Sequence, residues 1–171
     1  MKNLFKISAV LLVFAGLTTT ANAQENVEVT ATVNAVITLA HTDVALGTIQ
    51  QGITTLDANA NDVATETNVG TGAAAGSLTI TGTASATVTV TFGTATLTDA
   101  GGLNATTFTP SVYDGAAAIT SGSTVITLND GGSSNQAILN IGGTLADTGA
   151  TGSFSTTNGG GSALTFTVSY N

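Results

Sequence analysis

The amino-acid sequence predicts an all-β chain, folded as an antiparallel sandwich or barrel. Period-two alternation of apolar and polar residues recurs along it, with threonine as the usual polar partner. Gly, Asn and Asp clusters punctuate the alternating runs at turn spacing. No stretch after residue 24 keeps a 3.6-residue apolar period with helix caps. Together these fit about nine or ten strands.

The first residues are expected to be an export leader rather than a β element. Lys2 and Lys6 precede an apolar run from Ile7 to Leu17, and Ala21-Asn22-Ala23 fits a small-x-small cleavage pattern. The run is shorter than the ~20 residues a membrane-spanning helix needs. Cleavage after Ala23 would leave residues 24–171 as one domain, placed at the cell surface, outside the cell or in the periplasm. No Cys follows the cleavage site, which speaks against a lipid anchor.

Both lysines lie in that leader and arginine is absent, so residues 24–171 hold all ten acids and no Lys or Arg. Such a chain cannot bind a phosphate backbone by releasing counterions, so nucleic acid is not an expected partner. Anionic membrane surfaces are disfavoured for the same reason, and no second apolar run suggests a membrane span. Stability must come from burial and backbone hydrogen bonds. Cysteine is absent, so no disulfide staples the fold. A domain of this length can bury about 68–70% of its unfolded surface, enough for a core without staples.

From Val27 to Leu39 the odd positions are apolar, predicting a strand of thirteen residues. At about 3.4 Å per residue it would span about 44 Å, twice a common strand. Val36 breaks the polar phase near its middle, so the strand either projects or bends near Asn34-Ala35. Short strands are expected around Leu46–Ile49 and Ile53–Leu56, followed by a long surface loop. "SLTITGTASATVTVTF" supplies Leu78 and Ile80, then Val88, Val90 and Phe92. "ATTFTPSVY" holds Pro110, which implies an edge or a bend because Pro cannot donate to a ladder. "STVITL", "QAILNI" and "GSFSTT" follow. The chain closes on "SALTFTVSYN", with Leu164, Phe166, Val168 and Tyr170 on one face. The phrases "TLTDAGG", "TLNDGG" and "TLADTG" recur without a fixed period, which excludes a solenoid. Each is expected to be an inward Leu ending in an Asp–Gly turn. The six aromatics after residue 24 are expected to supply much of the core.

No constellation for catalysis stands out, and an enzyme is not expected. "GTGAAAG" at 70–76 resembles a phosphate cradle, but a strand rather than a helix follows it and no cation is near. "DANANDVATETN" at 57–68 resembles a calcium loop, yet its sixth position is Asp62 and its twelfth Asn68, where Gly and Glu belong. A weak calcium site or an ordinary polar loop both remain open there. His41 is the only histidine, with Asp43 nearby, but no G-x-S-x-G elbow accompanies them. One His cannot build a His-based zinc site. The expected sets of catalytic, cofactor-binding and metal-binding residues are empty. Threonine runs at 87–91, 94–98, 107–109 and 165–167 could form ranks that order water, as in some ice-binding proteins. Their irregular spacing favours ordinary solvated strand faces.

"LTFTVSYN" at 164–171, "VALGTIQQG" at 44–52 and "GSLTITGTASATVTVTF" from Gly76 resemble a bacterial exported family known as domain of unknown function 4402. Ala45-Leu46 stands where that family carries an aromatic. The resemblance spans most of residues 27–171 and implies a β-sandwich in a surface setting, with no established activity. The C-terminal strand with penultimate Tyr170, upstream Gly159–Gly161 and an alternating N-terminal segment also resemble chaperone–usher pilin subunits. That resemblance implies an immunoglobulin-like antiparallel sandwich whose N-terminal extension, here 24–36, fills a neighbour by strand addition. Val27, Val29, Ala31 and Val33 would form the exchanged face, and Leu164, Phe166, Val168 and Tyr170 the C-terminal assembly strand. The absent disulfide and the position of the upstream glycines depart from the pilin pattern. The implied partners are other copies of the chain, as a homo-polymer, or a periplasmic chaperone. The alternative is a monomeric extracellular module that binds carbohydrate or matrix through its loops.

Overall fold

Alternation becomes structure wherever a second strand offers a ladder. In the computed structural model, residues 30–31, 33–58, 66–129 and 135–171 are described. Among these lie eleven strands and no helix: β1 (Thr38–Thr42), β2 (Thr54–Leu56), β3 (Gly76–Thr81), β4 (Thr87–Phe92), β5 (Ala95–Asp99), β6 (Ala105–Asp114), β7 (Ala117–Ala118), β8 (Val125–Thr127), β9 (Gln136–Leu145), β10 (Phe154–Ser155) and β11 (Phe166–Tyr170). All belong to the unit Asn34–Asn171. The larger sheet runs β1-β3-β9-β6-β5-β10, with β2 also on β9 and β7 also on β6; the smaller is β11-β4-β8. Every pairing is antiparallel. The fold is thus all-β and sandwich-like, as the alternation predicts.

β3 and β4 show how the sequence builds it. Leu78 and Ile80 point inward from the larger sheet, Val88 and Val90 from the smaller, and threonines take the other faces. The link 82–86 carries the chain between sheets, helped by a left-handed Ser85 (φ 56°). These four side chains join Ile126, Leu128, Leu139 and Ile141 in the main core. Burying each contributes about 1.5–3 kcal/mol. A smaller core of Ala95, Phe108 and Leu145 lies beyond the reach of the small sheet's strands, and Leu46, Ile49 and Leu164 cover it in part.

β6 and β9, ten residues each, form the sheet's centre. Pro110 sits inside β6, opposite Gly143. The Ile119 N–H donates to the Val112 carbonyl on the β7 side, so two-residue alternation turns the Pro110 nitrogen to that side as well. β5 reaches only to Phe108 and β7 begins at Tyr113, so Pro110 falls in the gap between them. The expected edge position is a local gap beside a central strand.

Asp–Gly turns end two of the three repeated phrases. Asp99 accepts the Leu103 N–H at 2.9 Å, and Asp147 accepts the Gly149 N–H at 3.0 Å. Gly102 and Gly149 take positive φ of 66° and 62°. In the third phrase Leu128 is fully buried, while Asp130 lies outside the described residues.

Three expectations need correction. Within the strand predicted over Val27–Leu39, the described residues 30–31 and 33–37 are in no strand, and pairing begins at Thr38. Alternation there meets no opposing face, since Val33 is 88% and Val36 85% exposed; only Ile37 packs on the core. The leader, Val27 and Val29 lie outside the described residues. Leu46–Ile49 is no strand either; this stretch touches 71–74 through single bridges at Ala45 and Thr48. Lastly, the fully buried core is aliphatic apart from Phe108. Phe92, Phe166 and Tyr170 border it, with Phe92 and Phe166 tilted together at 5.5 Å between ring centres.

Candidate functional site

β11 is an edge strand, and its two periodicities define a site. Leu164, Phe166, Val168 and Tyr170 all turn inward against the main core, while Thr165, Thr167 and Ser169 are exposed. In the plane of the sheet, the Asn171 N–H donates to the Thr87 carbonyl, so the odd residues bond β4. The N–H and C=O groups of Phe166, Val168 and Tyr170 therefore face the open edge, where no strand lies among the described residues.

A cleft of about 1380 Å³ opens beside the start of this strand. Its floor is the smaller core, with Leu97, Phe108 and Leu145. Leu164 and Phe166 form one wall, and the 39–51 segment another. Its mouth is polar and nearly uncharged, lined by His41, Gln50, Thr148 and Ser153, with Asp43 the sole acid among the described lining residues. The cleft exists because the three-stranded sheet is too narrow to cover the larger sheet's inner face.

The far end of β11 is tied down. The Tyr170 hydroxyl accepts the Thr83 N–H at 2.6 Å, and Thr83 Oγ1 accepts the Ala35 N–H at 2.6 Å. The chain thus enters the unit beside Tyr170, at the opposite end of β11 from Leu164 and the cleft.

His41 and Asp43 approach to 3.6 Å but are 73% and 94% exposed, so the pair lacks the burial that nucleophilic chemistry uses. Gly70 and Gly76 serve packing, while Gly72 meets open space and takes a positive φ of 87°. A Cβ at Gly70 would strike the Thr48 backbone, and one at Gly76 would lie 2.9 Å from the Thr42 carbonyl. Residues 59–65 of the acidic loop lie outside the described residues. Asn68, at the loop's final position, is left-handed (φ 55°) and spends its side chain on Gln50 and Thr54. Among the described residues no three His, Cys, Asp or Glu come together as metal ligands. Nor is any described helix long and apolar enough to cross a membrane.

Register does what spacing in the sequence hides. Thr91 and Thr89 lie opposite Thr167 and Ser169, and Thr87 opposite Thr127, so the outer face of the small sheet is rich in hydroxyls and without charge, interrupted by exposed Val125 opposite Thr89. Of the expected exchange face, Ala31 and Val33 are exposed. No protein-family model, curated protein or solved structure matches the chain.

Proposed function

We propose that the chain is an exported structural subunit whose copies join by β-strand addition. The observation that carries this reading is the edge of β11, open among the described residues, beside a cleft with an apolar floor. A strand laid along Phe166–Tyr170 would bond the backbone groups that face away from β4, and alternate valines would drop toward the inner face. Val27, Val29, Ala31 and Val33 of a second copy provide that alternation in sequence. The polarity of the unit supports an open chain. One copy's N-terminal segment departs near Tyr170, and the cleft lies at the other end of β11, so the contact is head-to-tail. A periplasmic chaperone could occupy the same edge before assembly. Size-exclusion chromatography and negative-stain microscopy of residues 24–171 test this reading: fibres that disappear on deletion of 24–33 are expected. A monodisperse monomer indifferent to that deletion would refute it.

A second reading is favoured by the cleft's polar mouth over an apolar floor. In it the protein is a monomeric extracellular module that takes carbohydrate or a matrix component at the 39–51 and 148–157 loops. Glycan binding by a monomer, lost on Phe154→Ala, is the result that would favour it. Neither reading involves catalysis.

A further inference from the structure

We infer that Asn34–Thr42 is an exchangeable arm: β1 of one copy leaves its own β3 and pairs, in the same register, with β3 of the next copy. The inference rests on the strand-addition reading for its partner, a second copy, and names a different strand as the one exchanged.

Every residue of β1 is exposed, including those on the inner face of the sheet. Leu39 pairs with Ile80 and His41 with Leu78, both over the core side, yet Leu39 is 46% exposed and the His41 side chain 73%. The small sheet does not reach them. Five cross-strand pairs with β3 hold β1, and a single Thr42–Ser77 hydroxyl contact at 3.0 Å assists. Elements that bury so little open at low free energy. Upstream, Ile37 packs on the core and the Ala35 N–H bonds Thr83. Each of these contacts can be remade unchanged on a neighbour.

A hinge follows the arm directly. The Gly82 N–H donates to the Asn135 carbonyl, so the even residues of β3 bond β9 and the odd ones bond β1. Thr38, Ala40 and Thr42 therefore bond β3. Three residues on, Ala45 exchanges two hydrogen bonds with Ala74, at 2.9 and 2.8 Å, in the opposite phase. The ladder breaks at Asp43-Val44, where the chain squeezes past Gly76. Past this point Ala45 is firmly held, and before it the arm is held at an edge. Transfer in one direction builds an open chain of copies, and reciprocal transfer between two copies closes a dimer.

Cysteine is absent from the sequence, so engineered thiols report pairing without background. Ala40 lies opposite Thr79 in a hydrogen-bonded pair, whose usual Cα separation of about 5.5 Å suits a disulfide. Ala40→Cys and Thr79→Cys are made in separate chains of residues 24–171, mixed, and oxidised in a glutathione buffer. A mixed-disulfide dimer should form in about tenfold excess over a mixture of Ala40→Cys with the out-of-register Thr81→Cys. Equal yields in the two mixtures overturn the inference. So does an absent dimer while the double variant Ala40→Cys/Thr79→Cys closes within one chain. The 24–33 deletion leaves the arm intact and keeps the two readings separable. Fibres lost on that deletion without in-register dimers leave strand addition standing and exchange refuted. In-register dimers without fibres leave exchange standing and the filament refuted.

Discussion

One hydroxyl joins the chain's penultimate residue to a sheet-crossing link and to the start of the unit. Tyr170 receives the Thr83 N–H and donates to Thr83 Oγ1 at 3.3 Å, and Gly82 leaves the room for it, since a Cβ there would collide with that oxygen. Tyr170→Phe keeps the ring and strands a half-buried N–H, so a loss of about 1–2 kcal/mol is expected in urea denaturation at unchanged slope. Thr98 is the opposite case. Its Oγ1 is the buried side-chain oxygen without a partner among the described residues, and the residue is 2% exposed. Thr98→Val removes an unpaid desolvation and should raise stability by about 1 kcal/mol; a loss of that size would show that the hydroxyl has a partner after all. Asp99 sets a pH response. The Asn104 side-chain amide and then the Leu103 N–H hold its carboxyl below its ordinary value of 3.8. A lowered folded pKa stabilises above the unfolded value and is lost as pH falls through the folded one. Stability should therefore decline as pH drops below 3.8, and Asp99→Asn should make that decline shallower in denaturation curves taken across this range.

At the scale of the strand, β9 succeeds because two glycines let neighbours close in on both sides. A Cβ on Gly142 would collide with the Leu56 carbonyl, and one on Gly143 (φ 149°) with the Thr109 carbonyl. Gly143→Ala combines a poor backbone conformation with overpacking against Pro110 and Phe108. A loss of about 2–3 kcal/mol is expected from thermal unfolding, with Gly149→Ala, which meets open space, costing less. The same strand shows where sequence reading stops. Alternation revealed "QAILNI", but the strand continues through Gly142-Gly143 to Leu145, and glycine carries no inside–outside signal. β3, β4 and β11 were legible because Val, Leu, Ile and Phe alternate with threonine on strands that have one buried face. Val27–Leu39 carries an equal alternation, yet its described part is mostly coil, because a pattern supplies a face and not the partner that covers it. The inward row of Leu164, Phe166, Val168 and Tyr170 was visible in the sequence. The cleft beside it was not, because it is made by 39–51 and 148–166 meeting across a sheet of distant strands.

For the molecule as a whole, charge decides how the fold responds to its surroundings. The formal net charge is −8, and residues 24–171 contain no Lys or Arg. Among the described residues the ion contact is His41–Asp43, and both partners are exposed. Such a pair contributes little. Long-range electrostatics in the folded unit are therefore repulsion among carboxylates, stronger in the compact state than in the extended one. Salt should stabilise this protein, the reverse of a fold held by surface ion pairs. Raising NaCl from about 0.01 to 0.15 M shortens the screening length from about 30 to about 8 Å, so most of the gain belongs in that interval and little above it. Urea midpoints at pH 7 should climb over that range and then level off. Midpoints that stay flat or fall would mean that attractive pairs outweigh the repulsion. A climb that continues steeply toward molar salt would point instead to strengthened burial of apolar surface. Under the proposed strand addition an acidic subunit would meet an acidic neighbour, so self-association should follow the same sign: screening should speed assembly of residues 24–171, and dilution into low salt should slow it, as light scattering can follow.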